Sequence, residues 1–185
     1  MRAVQQQHPR ARTAIMADLR YALRQRGDTP PSDSRRDQVL AFLHLVWHSD
    51  AFAALVCYRV KAACQRRGIP VVPALAHRAA MVLAQVCIGD PVLVHPGVLI
   101  PHGQVVIDGF VEIHRGARLR PFIVIGLAEG DIRGPVIEPE VSVGTGAKVL
   151  GPITVGTGAR IGAGAIVLSD VAAGATVVGI PARPV

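Results

Sequence analysis

Aromatic side chains are scarce. They make up 4% of the 185 residues, although half of the chain is hydrophobic. A core without aromatics has to be built from Val, Ile, Leu and Ala, which suits a narrow solenoid better than a thick sandwich. The same scarcity bears on the formal charge of +7. Nucleic-acid binding wants basic grooves interleaved with stacking rings, and those rings are lacking here. The basic excess gathers in Arg2, Arg10, Arg12, Arg20, Arg24, Arg26, Arg35 and Arg36, which reads as a solvated basic arm and predicts no nucleic-acid partner. A basic surface still attracts anionic small molecules, a nucleotide-bearing cofactor among them. Cysteine is sparse too: Cys57, Cys64 and Cys87 are an odd count without a CxxC pair, which predicts reduced thiols and a cytoplasmic setting. No apolar run reaches the roughly 18 residues of a membrane span. The N-terminus also lacks an apolar signal region, so neither membrane insertion nor export is expected. Glycine is nearly missing from the first half: of 19, all but Gly27 and Gly68 lie beyond Ile88. That shift puts a domain boundary near residues 84–88.

What is abundant is a repeat of six. Aliphatic residues recur at Ile137, Val143, Val149, Val155, Ile161 and Val167. Three of these open small-residue hexads: Val143-Gly-Thr-Gly-Ala-Lys148, Val155-Gly-Thr-Gly-Ala-Arg160 and Ile161-Gly-Ala-Gly-Ala-Ile166. The same phase runs back through Ile125, Leu119, Ile113 and Ile107, with Asp131 the one polar interruption. A helix repeats near 3.6 and a strand near 2, so neither explains sixes. Short strands joined by tight turns around a triangular coil do, and hexapeptide repeats are a signature of the parallel β-helix. At three hexads per coil, residues 88–172 hold about four to five coils.

Ahead of the repeat the pattern is helical. Residues 12–26 read as a helix ending at Gly27, and Asp28-Thr-Pro-Pro-Ser-Asp-Ser34 breaks it. Further helices are expected over 36–47, from a cap at Ser49 or Asp50 to Arg67 with Gly68 as the stop, and over 72–86. Their broad apolar faces predict packing on one another and on the first coil, not chemistry. The expected organisation is a basic N-terminal helix and linker over 1–34, an α-helical domain over 35–86, the β-helix over 87–172 and a C-terminal tail over 173–185. His44, His48 and His77 form no convincing ligand set, and no metal site is predicted.

One irregularity interrupts the sixes. Before His102 the phase reads Ile88, Val94, Ile100, and the next member is Ile107, a step of seven. An extra residue in a regular solenoid needs a bulge or a small loop, and such places often serve sites. Pro101-His102-Gly103 follows Ile100 directly, which sets an imidazole on an outer corner. Taken alone, it reads as a surface histidine in a turn.

The run Val98-Leu-Ile-Pro-His-Gly103, the hexads, and the ending Asp170-Val-Ala-Ala-Gly-Ala-Thr-Val-Val-Gly-Ile-Pro-Ala-Arg183 together resemble the serine acetyltransferases, left-handed parallel β-helix acyltransferases that use acetyl-CoA. The similarity runs from about residue 40 onward and is nearest to short-form members, whose helical segment the stretch Trp47 to Arg59 also resembles. The resemblance implies a left-handed β-helix behind an α-helical N-terminal domain, and a homotrimer or a dimer of trimers with sites between neighbouring coils. It makes His102 the match to the catalytic base. Imidazole suits that role, because it exchanges a proton near neutral pH with an attacking hydroxyl or amine. The acceptor then attacks the thioester directly, and Cys87 need not be a nucleophile.

The family pattern fails in places. Its orienting Asp, fifteen residues before the base at the head of an Asp-Ile-His-Pro motif, matches Cys87 without a gap. Aligned on His95-Pro96-Gly97 with six residues deleted, it matches Leu93. Asp90 lies close in sequence and is the candidate substitute; with no orienting acid the tautomer is unfixed and activity falls. The Asp that precedes the base is Pro101 here, and the Arg-His-Pro stretch that engages the acceptor carboxylate is Arg133-Gly134-Pro135. Arg133 survives as a carboxylate fork. The two hexads between Ile125 and Ile137 predict a shorter projecting loop. An acceptor other than free serine is expected, a small-molecule or carrier-bound hydroxyl or amine. Asp108 and Glu112 are candidate contacts to it, or else solvated corner residues. For acetyl-CoA or another acyl-CoA the resemblance points to Gly126, Thr145, Gly146, Ala163 and Gly164, where small residues let a pantetheine arm approach the backbone. Lys148, Arg160 and Arg183 would meet its phosphates. Gly and Ala are also what coil corners require. The chain ends soon after the family tail, without the extension by which some members dock into cysteine synthase, so no such complex is expected.

Two other readings stay open. Loss of the orienting Asp and of the acceptor residues suits a catalytically degenerate trimeric scaffold or regulator. A zinc hydrolase on the same β-helix needs three converging histidines, and His95, His102 and His114, spaced seven and twelve apart, give no clear convergence.

Overall fold

In the computed structural model, which describes residues 6–185, helices α1 (Ala11–Arg26), α2 (Arg35–His48), α3 (Asp50–Arg66) and α4 (Val72–Ala84) precede a stack of short strands. Arg2 of the basic cluster lies outside the described residues. The helix ends have local causes. Gly27 closes α1 at a φ of 81°, where a side chain would be strained. Ser49 caps α3 by accepting from the Phe52 amide at 3.3 Å. The last helix stops at Ala84, and Val86, expected to be helical, opens the first strand instead.

The strands form three parallel faces of a prism. The first face stacks β1 (Val86–Ile88), β3 (Val105–Ile107), β6 (Val124–Gly126), β9 (Lys148–Leu150) and β12 (Ile166–Val167). The second stacks β2 (Leu93–Val94), β4 (Phe110–Ile113), β7 (Arg133–Ile137) and β10 (Thr154–Val155). The third stacks β5 (Arg118–Leu119), β8 (Ser142–Val143), β11 (Arg160–Ile161) and β13 (Thr176–Val178), closed by β14 (Arg183–Pro184) running antiparallel. The chain visits first, second and third face in turn, which makes a parallel β-helix. Its core is the column of aliphatic sixes: Ile107, Ile113, Leu119, Ile125, Ile137, Val143, Val149 and Val155 are all fully buried. Each such side chain contributes about 1.5–3 kcal/mol by leaving water.

Register accounts for both irregularities of the repeat. Ile107 pairs with Ile125 and Val149 with Val167, eighteen residues apart, the length of three hexads. Ile88 pairs with Ile107 and Val94 with Ile113, nineteen apart; the extra residue falls in the turn that holds His102. Ile125 pairs with Val149, twenty-four apart. The hexad containing Asp131 therefore does not wind as a coil side. Residues 127–132 project as a loop between the first and second faces, which explains why a carboxylate stands in an aliphatic phase. The sequence counted two wound hexads there, and the structure corrects that.

The helices close the open end of the solenoid. A terminal coil has main-chain groups that no further coil satisfies, and α3 supplies their partners. Tyr58 Oη donates to Val92 O at 2.8 Å and accepts from Val94 N at 3.2 Å. The Lys61 ammonium donates to Ile88 O at 2.6 Å. Arg59 donates to Val94 O and, at 2.9 Å, to His95 O. Asp18 of α1 completes the cap, holding Arg59 through both oxygens at 2.9 and 3.2 Å and accepting from Gly97 N at 2.7 Å. Burial pushes the Asp18 carboxyl up, and the Arg59 guanidinium and these amides oppose that. The first helix is thus docked, with Ala14 and Leu19 fully buried. The expected solvated arm is confined to its outer arginines.

Candidate active site

Turns at residues 101–104, 120–123, 144–147 and 162–165 line up along the edge between the third and first faces. Main-chain bonds lace them one coil to the next. The Phe122 amide donates to Gln104 O at 2.7 Å, Gly146 to Pro121 O at 2.9 Å and Gly164 to Thr145 O at 2.8 Å. His102 therefore heads the same column that holds Thr145, Gly146, Ala163 and Gly164. Thr145, Ala163 and Gly164 are exposed along it. Gly146 and Gly164 have φ of 72° and 67°, so the backbone asks for glycine there whatever binds.

The turn at His102 is shaped by the end of α4. Gln104 N donates to Ala84 O at 2.9 Å and Val105 N to Gln85 O at 3.2 Å. A Cβ on Gly103 would lie 1.7 Å from Ala84 O, so only glycine lets the helix end sit against this turn. The extra residue bulges outward and leaves the imidazole exposed. It faces an open groove of about 500 Å³ shared with Asp50, Leu83, Gln104 and Phe122. A smaller cavity of about 210 Å³, touching Asp18, Arg26, Ser49 and Phe52, lies against the same turn.

Among the described residues no carboxylate is hydrogen-bonded to this ring. Cys87 stands half-buried on β1 opposite Val106, and Leu93 is buried in β2. Asp90, expected as the substitute, occupies the edge between the first and second faces and is held by the Lys61 ammonium at 2.9 Å. Its carboxyl is the counter-ion of the cap: partial burial raises its pKa, but the Lys61 ammonium and the Gln65 amide outweigh that and hold it below its ordinary value. The carboxylate that does line the groove is Asp50, at the start of α3. In the sequence it shows only as a helix cap, fifty-two residues from the base, and no local signal links the two.

Other expected residues lie elsewhere in the chain. Gly126 is buried, 3.3 Å in Cβ terms from Asp108 O, on the edge between the first and second faces. Asp108 is exposed on that edge. Arg133 pairs with Asp131, two residues before it at the end of the projecting loop, at 2.8 Å from Nη2 and 3.2 Å from Nε, so its fork already meets a carboxylate of its own chain. That grip holds the Asp131 carboxyl at about 2. Lys148 and Arg160 are exposed at the starts of β9 and β11, and Arg183 is exposed in β14. Glu112 faces the edge between the second and third faces. Its Oε1 lies 2.8 Å from His95 Nε2 and 3.3 Å from His114 Nε2. The sequence missed that grouping, although a spacing of nineteen, one coil, between His95 and His114 was there to be read.

No family model matches the chain. The chain is similar to the serine acetyltransferase of Helicobacter pylori, 32% identical over 174 residues, covering 92% of this chain and 98% of that protein. It is 39% identical over 139 residues to the serine acetyltransferase of Synechococcus elongatus, covering 71% of this chain and 55% of that one. The chain thus spans about half the length of the cyanobacterial relative and nearly the whole of the Helicobacter one. A solved serine acetyltransferase in complex with CoA superposes with a TM-score of 0.76 at 25% identity, covering 99% of this chain and 72% of that chain.

Proposed function

The chain belongs to the serine acetyltransferase family, and from that premise we propose that it is an acyl-CoA-dependent O-acetyltransferase, with acetyl-CoA the donor and His102 the general base. One observation carries this reading: His102 stands exposed at the head of the edge along which Thr145, Gly146, Ala163 and Gly164 are stacked. Small residues there let a pantetheine arm approach the main chain closely. Lys148, Arg160 and Arg183 are the cations for its phosphates, and winding of the left-handed kind is the form the hexads would take. His102 removes the proton of the acceptor hydroxyl or amine as its oxygen or nitrogen attacks the thioester carbonyl. The carbon–sulfur bond then breaks, and the imidazolium returns the proton to the departing thiolate. Asp50, across the groove, is the group we assign to hold the acceptor or the imidazolium.

The acceptor is a hydroxyl or amine compound other than free serine. Pro101 and Gly134 offer no charge to an amino acid, and Arg133 is occupied by Asp131. The working unit is a homotrimer, or a dimer of trimers, in which the edges that hold Asp108, Gly126 and Arg133 can face a neighbour's His102.

CoA release by the purified chain, measured against a panel of hydroxyl and amine acceptors, tests the proposal. General-base help is worth roughly 10²–10⁴ in rate, so His102→Ala should lose nearly all turnover; unchanged turnover refutes the assignment. A trimeric scaffold without catalysis is the second reading, favoured by the lack, among the described residues, of a carboxylate bonded to His102. Calorimetry separates the two, since a scaffold without a site shows no heat with acetyl-CoA.

A further inference from the structure

We propose that His95, Glu112 and His114 form a zinc-binding site on the edge between the second and third faces. The three donor atoms lie within 4.8 Å of one another. Glu112 Oε1 is 2.8 Å from His95 Nε2 and 3.3 Å from His114 Nε2. A tetrahedral zinc with bonds of about 2.0–2.2 Å holds its ligand atoms about 3.3 Å apart, so small side-chain rotations bring all three into the coordination sphere.

The main chain sets this arrangement in advance. Val94 and Ile113 are register partners, and the residue after each is a histidine one rung from the other. His95 N donates to Ile113 O at 2.8 Å and His114 N to Ile137 O at 2.9 Å. The two rings consequently stack, centroids 4.6 Å apart and 11° from parallel, near the 4.7–4.9 Å that separates neighbouring strands. Both present the same nitrogen to one carboxylate. The Arg59 guanidinium fixes the His95 carbonyl from behind at 2.9 Å, so the first ligand cannot drift. Two imidazoles and a carboxylate are a donor set of intermediate softness, which suits zinc better than calcium or magnesium. The ligands are partly exposed, with His95 at 35%, Glu112 at 38% and His114 at 28%. A fourth position is therefore open to water, as in three-ligand zinc sites.

The site shares no residue with the His102 edge, and its test reads metal rather than turnover. The tag-free full chain, stripped with a chelator and titrated with zinc chloride by calorimetry, is expected to bind one zinc per chain. Glu112→Gln keeps the size of the side chain and one acceptor oxygen but removes the charge, and should weaken binding by more than about 100-fold, beyond what loss of an outer-shell partner does. His95→Ala and His114→Ala should do the same, and His102→Ala should leave zinc binding as it was. A visible Co²⁺ spectrum present in the unaltered chain and lost in Glu112→Gln would support the same ligands. Zinc bound at less than one per chain, or bound equally by Glu112→Gln, overturns the proposal and leaves two imidazoles sharing a carboxylate.

Discussion

At the scale of single residues, Gly103 and His8 make the sharpest predictions. Gly103 is required by contact with Ala84 O, a main-chain atom that no rotamer change can move aside. Gly103→Ala should cost about 1–3 kcal/mol in denaturant unfolding, the range for overpacking a tight site. It should also disturb the His102 turn, so turnover falls with stability. His8 is buried against Tyr58, its Nε2 without a partner among the described residues. Burial first, then the nearby Arg59, Lys61 and Arg66, lower its pKa from 6.5 to about 4. Between those values the unfolded chain takes up a proton that the folded chain refuses. Stability should therefore fall as pH drops from 6.5 towards 4. Chemical denaturation across that range checks it: the decline should be shallower in His8→Gln.

At the scale of elements, the cap of α1 and α3 on the first coil is the part with most at stake. Asp18 and Arg59 are almost wholly out of water. Removing one partner leaves the other charge buried and uncompensated, which typically costs about 3–5 kcal/mol. Asp18→Ala should show that loss in urea unfolding, and Asp18→Asn less of it, because an amide still accepts from Gly97 N. This cap is also where legibility in the sequence ended. The sixes announced the strands, since each coil side buries one aliphatic residue and the period is local. Gly27 and Ser49 announced helix ends for the same reason. By contrast, nothing near Asp18 shows that its partners are Arg59 and Gly97, or near Lys61 that it meets Asp90. Those pairings depend on how helices seat on a coil some thirty to eighty residues away. The hexad of Asp131 misled because spacing alone does not say whether six residues wind or project; a carboxylate in the aliphatic phase was the clue. The bulge at His102 was legible for a related reason, since a seventh residue in a run of sixes must project; its role as base is what the family resemblance implies.

At the scale of the whole molecule, α2 and α4 leave large apolar side chains in solvent: Leu43 and Trp47 on one, Val82 and Leu83 on the other. Trp47, 86% exposed, is the sole tryptophan. Leu40, Leu43 and Trp47 fall on one stripe of α2 at helical spacing; contiguous exposed apolar surface marks an interaction site, which the proposed trimer or dimer of trimers would use. Sedimentation should then place the particle at three or six times the 19.5 kDa chain mass. If the helices join copies, Trp47 emission should shift to the red on dilution as that surface is uncovered. If the acyl-transfer site spans two chains, CoA release should fall where the coils part, because Asp108, exposed on another edge, cannot reach His102 within one prism. Trp47→Asp separates these effects. It should leave trimers active and remove only the higher assembly, whereas full activity at the mass of one chain would sink the shared site.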